Sequence, residues 1–234
     1  MTDLPDLPAP PPLLLTRETI LAGTVRRVAS QVPGMVVLSE AELDASIAAT
    51  LAQQPAPGGD AWIFGYGSLI WNPAFEHDET RLAKVSGWHR KFCLWTNLSR
   101  GCMRQPGLTL GLDRGGACRG MLFRIPRAKV ATELSVLWRR EMVGGAYVPR
   151  WVRAASAQGP VDAITFTINH AHPRYAGKLD AAEMVRVIAC ASGTLGPCSE
   201  YLFKTEASLR ALGIRDRRLE TLCRQVEAAI GREA

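Results

Sequence analysis

Two places in this 234-residue sequence carry groups able to do chemistry. Residues 62–71 read WIFGYGSLIW, an apolar run that would make a buried strand were it not opened by Gly65-Tyr66-Gly67-Ser68. Glycine reaches backbone conformations that other residues avoid, so successive N–H groups in such a break can converge on one point and hold a carboxylate or phosphate. The residues alone leave a plainer alternative open, a bulge or a tight packing contact. The second place is Glu141. In RAKVATELSVLWRREM, Val130, Leu134 and Leu137 form an apolar stripe, with Val136, Trp138 and Met142 beside it. At about 100° per residue, Glu141 falls near the centre of that stripe. Partial burial there would raise its pKa and make it a carboxylate able to take and return a proton near neutral pH. The alternative is a helix end fraying before Gly144-Gly145, with the carboxylate in water or on an arginine. Glu133, Arg139 and Arg140 point to other sides and read as ordinary surface residues.

Other chemistries fit the sequence poorly. A dinucleotide fingerprint needs a third glycine where Ile70 stands. Ser68 is outside a G-x-S-x-G elbow, and His77, His89, His170 and His172 have no triad spacing to it. Cys93, Cys102, Cys118, Cys190, Cys198 and Cys223 include no CxxC pair, which argues for reduced structural thiols rather than a zinc or dithiol site. Neither a zinc site nor a bound nucleotide is expected from these spacings.

The elements that must position these groups follow from periodicity and turn residues. The opening MTDLPDLPAPPP reads as disordered or loosely packed chain. A Ser-x-x-Glu capping box at Ser39 starts a helix, and QPAPGGD reads as a linker. Residues 1–60 are therefore expected to form an N-terminal extension, and residues 61–234 the main domain. Strands are expected at WIFGYG, at 82–96, at AYVPRWVRAA and at VDAITFTI. LTLGLD and CRGMLFRI are expected to pair as a hairpin around the Arg114–Gly116 turn. Helices are expected over 127–142 and from Leu179 onward. The sum is an α+β arrangement around a mostly antiparallel sheet or small barrel.

Composition narrows the class. With 47% hydrophobic residues the chain can bury a sizeable core, and no apolar stretch approaches the roughly 20 residues of a membrane span. The formal net charge is +6, but Lys and Arg are scattered in sequence among Asp and Glu. That reads as a solvated surface with a mild preference for an anionic small substrate, not as a nucleic-acid or membrane partner. A soluble, cytoplasmic protein is expected.

FGYGSLIWNP and WRREMVGGAYVPRWV, taken together, resemble the ChaC family of γ-glutamylcyclotransferases. The similarity continues through RGCMRQPGLTLGLDRGGACRGMLFRI, HPRYAG, EYL and LRALGIRD, from Ala61 to Leu222. The resemblance implies a cyclotransferase-type α+β domain, a small mixed barrel or curved sheet flanked by helices. It also implies a lyase that cleaves glutathione into 5-oxoproline and cysteinylglycine without metal, cofactor or water as reactant. By the same resemblance Gly65, Tyr66, Gly67, Ser68, Leu69 and Ile70 hold the γ-glutamyl moiety, Glu141 is the catalytic carboxylate and Tyr201 contacts the substrate. Arg100 reads as a surface arginine, with the glycyl carboxylate as its alternative role. Where Cys198 stands the family often has asparagine. Other γ-glutamyl peptides as substrates, and a non-catalytic module linked to cation transport, are the alternative functions. The sequence leaves the oligomeric state open, between a monomer and a weak dimer.

Overall fold

The computed structural model describes residues 15–233. The proline-rich opening, expected to be disordered or loosely packed, lies outside the described residues. Five strands close into a barrel in the order β1 (Ala61–Gly65), β3 (Gly107–Ile125), β2 (Glu79–Thr96), β4 (Tyr147–Ser156), β5 (Gly159–Ile168). The pairings are antiparallel except two: β5 lies parallel to β1 at Ile63↔Ile164 and to β3 at Leu112↔Thr167. The fold class is α+β, as the resemblance implied.

The expected hairpin around Arg114–Gly116 is corrected. LTLGLD and CRGMLFRI lie in the one 19-residue strand β3, paired with β2 from Glu79↔Arg124 to Thr96↔Gly107. Gly115 (φ 97°) and Gly116 (φ 69°) sit across from Gly87 (φ 82°), where the register slips between Ser86 and Trp88. Left-handed glycines serve a bulge as readily as a turn, so the residue types could not separate the two.

Strand β1 is buried on both faces because it lies between two cores. Phe64 points into a core with Leu108, Leu110, Leu112 and Leu122, which helices α6 (Cys198–Ala211) and α7 (Arg217–Glu233) close through Leu202 and Val226. Its neighbour Ile63 points the other way, as strand alternation requires, into a core with Phe123, Ile125 and Phe166. Helix α4 (Val130–Glu141) supplies that second core with Leu134, Val136, Leu137 and Trp138, all fully buried. Trp138 meets Phe166 edge to face at 5.1 Å.

The N-terminal helices α1 (Arg17–Leu21), α2 (Thr24–Ser30) and α3 (Glu40–Leu51) add Ile20 and Leu43 to the same core. Ser39 caps α3 as expected, its hydroxyl accepting from the Glu42 amide at 3.2 Å. Helix α1 also overturns the reading of Glu133 as a surface residue. Glu133 is 2% exposed, accepts from Arg17 and takes the Glu76 amide at 2.8 Å. The cover comes from a segment more than a hundred positions earlier, which helix periodicity cannot reveal. Helix α5 (Ala181–Cys190) completes the α layer against α6 and α7.

Candidate active site

Three elements end at one cavity of about 520 Å³. Strand β1 stops at Gly65 and the chain enters a single 3-10 turn, Ser68–Ile70, whose first amides find no acceptor within the turn. Helix α4 ends at Glu141, and the first turn of α6 carries Tyr201. Ser68, Glu141 and Tyr201 all line the cavity, together with Arg140 and Tyr147.

Glu141 has a side chain only 16% exposed, and its Oε1 lies 2.9 Å from Arg140 Nε. Burial pushes its carboxyl above the usual carboxylate range, and the adjacent guanidinium pulls partly back. Burial also drives the Tyr147 and Tyr201 phenols up, so both stay neutral. Tyr147 is fixed by donating to the Leu110 carbonyl at 2.7 Å.

Arg140 is the second correction. Read as a surface residue, it is 9% exposed and spans the site. Its Nη2 donates to Ser68 Oγ at 3.0 Å and its Nη1 to the Asn72 carbonyl. One guanidinium thus fixes the glycine-rich loop to the acid. Because Ser68 Oγ accepts from Arg140, its own O–H remains available as a donor.

The loop residues separate by role. Only Ser68 among residues 65–70 lines the cavity. Tyr66 turns into the molecule, its hydroxyl donating to the Phe166 carbonyl at 2.8 Å, while its own carbonyl accepts from Arg90 Nε at 3.0 Å. Leu69 enters the core shared with α4, and Ile70 packs on the opposite core. Gly67 leaves room for Tyr201, since a Cβ there would stand 3.2 Å from the phenol oxygen. Gly65 has the same function against Phe123, 3.0 Å from such a Cβ.

Tyr201 is 7% exposed, set edge-on to Phe92 at 5.9 Å. Arg100 is not a surface arginine either: 6% exposed, it donates to Glu200 Oε2 at 2.6 Å and to the Pro197 carbonyl at 3.1 Å. At Cys198 the thiol donates to the Leu108 carbonyl at 3.0 Å and accepts from the Leu108 amide at 3.4 Å. Burial pushes that thiol up to about 11, so it stays protonated and able to donate.

The sequence did not single out Tyr147 or Arg174 as cavity residues. Arg174 lies in HPRYAG, and among the described residues its guanidinium has no ion-pair partner while facing the cavity. Leu15, Val25 and Met35 bring the N-terminal segment to the rim, where Asn72 Nδ2 donates to the Leu15 carbonyl at 2.9 Å. Among the described residues no helix is long and apolar enough to cross a membrane, and no cluster of His, Cys, Asp or Glu could hold a metal ion.

Residues 61–229 match the family of ChaC-like proteins. The chain belongs to that family. A glutathione-specific γ-glutamylcyclotransferase of Escherichia coli (strain K12) is 39% identical over 210 residues, covering 89% of this chain and 90% of the relative. A glutathione-specific γ-glutamylcyclotransferase 1 of Danio rerio is 31% identical over 154 residues, 64% of this chain and 79% of the relative. The crystal structure of a γ-glutamyl cyclotransferase specific to glutathione from yeast superposes with a TM-score of 0.68 at 20% identity, covering 73% of this ChaC-like chain and 96% of that one. The barrel and its flanking helices are therefore the cyclotransferase fold.

Proposed function

We propose that this protein is a glutathione-specific γ-glutamylcyclotransferase and that Glu141 is its general base and acid. The observation that carries the reading is a largely buried carboxylate on the wall of a cavity, with its affinity for protons raised by burial and its position fixed by Arg140. The names of the ChaC-like relatives support the substrate.

In this reaction the substrate's α-amine attacks its own γ-carbonyl. The new C–N bond closes the five-membered ring of 5-oxoproline, and the C–N bond to cysteine breaks. The amine is protonated and non-nucleophilic at neutral pH, so a base must first remove a proton. On the way to the lactam the attacking nitrogen sheds two protons and the departing cysteinyl nitrogen gains two; Glu141 relays them, a role worth ~10² to 10⁴ in rate. Nothing else is consumed, because nucleophile, electrophile and leaving group belong to one molecule. Holding them folded together contributes a proximity effect that approaches ~7 to 11 kcal/mol in well-aligned cases.

In this reading the Ser68 hydroxyl and the amides of its turn grip the glutamyl end and stabilise the developing oxyanion. Tyr147 and Tyr201 supply neutral hydroxyls around it. Arg174 offers its unpaired charge to the glycyl carboxylate.

The test is to incubate the purified chain with reduced glutathione, without metal or nucleotide, and to measure 5-oxoproline and cysteinylglycine by mass spectrometry. Equal amounts of both are expected. Glu141→Gln should lower kcat at least ~10²-fold with little change in melting temperature. Wild-type turnover in that variant would remove Glu141 from the mechanism. Cleavage of γ-glutamyl-alanine at least as fast as glutathione would defeat the substrate assignment while leaving the chemistry in place.

A further inference from the structure

A second cavity, of about 640 Å³, lies between the β2/β3 ribbon and the start of α7, and shares no lining residue with the first. Lys84, Arg114, Arg119, Arg215, Arg217 and Arg218 line it, and the buried Arg90 forms its inner wall. Asp216 is the one carboxylate among the lining residues. These seven cations against one carboxylate carry as much excess charge as the net +6 of the whole chain. The Lys and Arg that look scattered in sequence are gathered by the fold.

Three local preferences are broken at this one place. Lys84 stands directly opposite Arg119 in the β2/β3 ladder, a like-charge pair that destabilises a sheet. Arg217 and Arg218 open α7, where the positive end of the helix dipole disfavours cations. Lys84, Arg114, Arg119, Arg217 and Arg218 also have no carboxylate partner among the described residues. Asp216 cannot serve them. Its Oδ2 takes Arg90 Nη1 at 2.7 Å and its Oδ1 caps α7 through the Arg218 and Leu219 amides at 3.2 and 3.3 Å. Arg215 turns to Glu220 at 3.2 Å.

A bound anion relieves all three at once. It screens the Lys84–Arg119 repulsion, meets the positive helix end and pairs the free guanidinium groups, and a concave site focuses the field that draws it in. The cations come from both strands of the ribbon and from α7, so a ligand with several charges spaced along its length fits them better than one carboxylate or one phosphate. Planar guanidinium forks suit phosphate oxygens. We propose that this pocket is a binding site for a small oligophosphate, a molecule with two or more linked phosphates.

The test is calorimetric titration of the full chain with inorganic tripolyphosphate at about 0.15 M salt, where exposed single ion pairs are largely screened. Saturable one-to-one binding is expected, at least tenfold tighter than that of sulfate. Arg217→Glu/Arg218→Glu should weaken it at least tenfold and leave glutathione turnover unchanged. Arg119→Thr gives a second readout: without ligand it should melt higher than the wild type, because the facing like charges are gone, and it should bind tripolyphosphate less tightly. A purely structural Arg119 would lower the melting temperature instead. Adenosine triphosphate displacing tripolyphosphate would point to a nucleotide as the natural source, and failure to displace it to an inorganic chain. Binding no tighter than sulfate, or undiminished in the double variant, overturns the site. So does a short DNA duplex that displaces tripolyphosphate and binds more tightly, which would make this face a nucleic-acid surface.

Discussion

At the scale of single residues, the acid could be read in advance and its partner could not. Glu141 betrayed itself by falling on an apolar stripe, whereas Arg140, one position earlier, is buried only because the turn at Ser68 and the chain at Asn72 fold over it. Tyr66 shows the opposite error of emphasis: it belongs to the motif, yet its hydroxyl is spent on the Phe166 carbonyl. The proton transfer proposed for Glu141 sets a pH limit. The group must start as a carboxylate, and burial has raised its pKa above the ordinary 4.5. Activity should therefore fall as pH drops through that raised value, so the acid limb of the kcat/KM profile should lie above 4.5. An acid limb at or below the ordinary value would show that the folded site does not perturb this carboxyl, and the base would have to be sought elsewhere.

At the scale of elements, the start of α6 is pinned to β3 by the hydrogen bonds of one side chain. Cys198 both donates to and accepts from Leu108, which is the pairing an asparagine amide could also make. Cys198→Ala leaves a buried backbone amide and carbonyl short of a partner and should cost about 1–3 kcal/mol. Cys198→Asn should cost less, because donor and acceptor are both restored. Denaturant midpoints of the three proteins would decide, and an alanine variant as stable as the wild type would show that the thiol only fills space. Periodicity and capping revealed α3 and α4 in the sequence because their signals are local. The β3 hairpin was misread because the glycine signal is local too, while the choice between turn and bulge depends on what the partner strand does opposite. The basic pocket was invisible for the same reason, since its walls lie roughly a hundred residues apart in the chain.

At the scale of the whole molecule, a buried carboxylate ties the barrel to the chain that leaves it. Burial alone would raise Asp113, but bonds from His170, the Arg114 amide, Lys91 and Tyr175 hold it at about 2. Its ordinary value is 3.8, so the folded state favours the ionised form and contributes about 2 kcal/mol of stability at neutral pH. That contribution is fully present above 3.8 and is lost as pH falls toward about 2. Urea midpoints should drop through this window, and the drop should be smaller in Asp113→Asn. Equal acid sensitivity in the two proteins would place the linkage on other carboxylates.

The closure of the barrel at Ile63↔Ile164 sets an order in time. β2 with β3, and β4 with β5, join neighbours in the chain and can form early, whereas β1 must wait for partners that come much later. The turn at Ser68 hangs from the end of β1, so it takes its place only when the barrel shuts. A chain emerging from the ribosome carries the loop and Glu141 before it carries β5 and α6. On refolding, catalytic activity should return with the slowest phase, after most of the secondary structure is in place. A nascent chain would then be unable to consume its substrate until nearly the whole protein had been made.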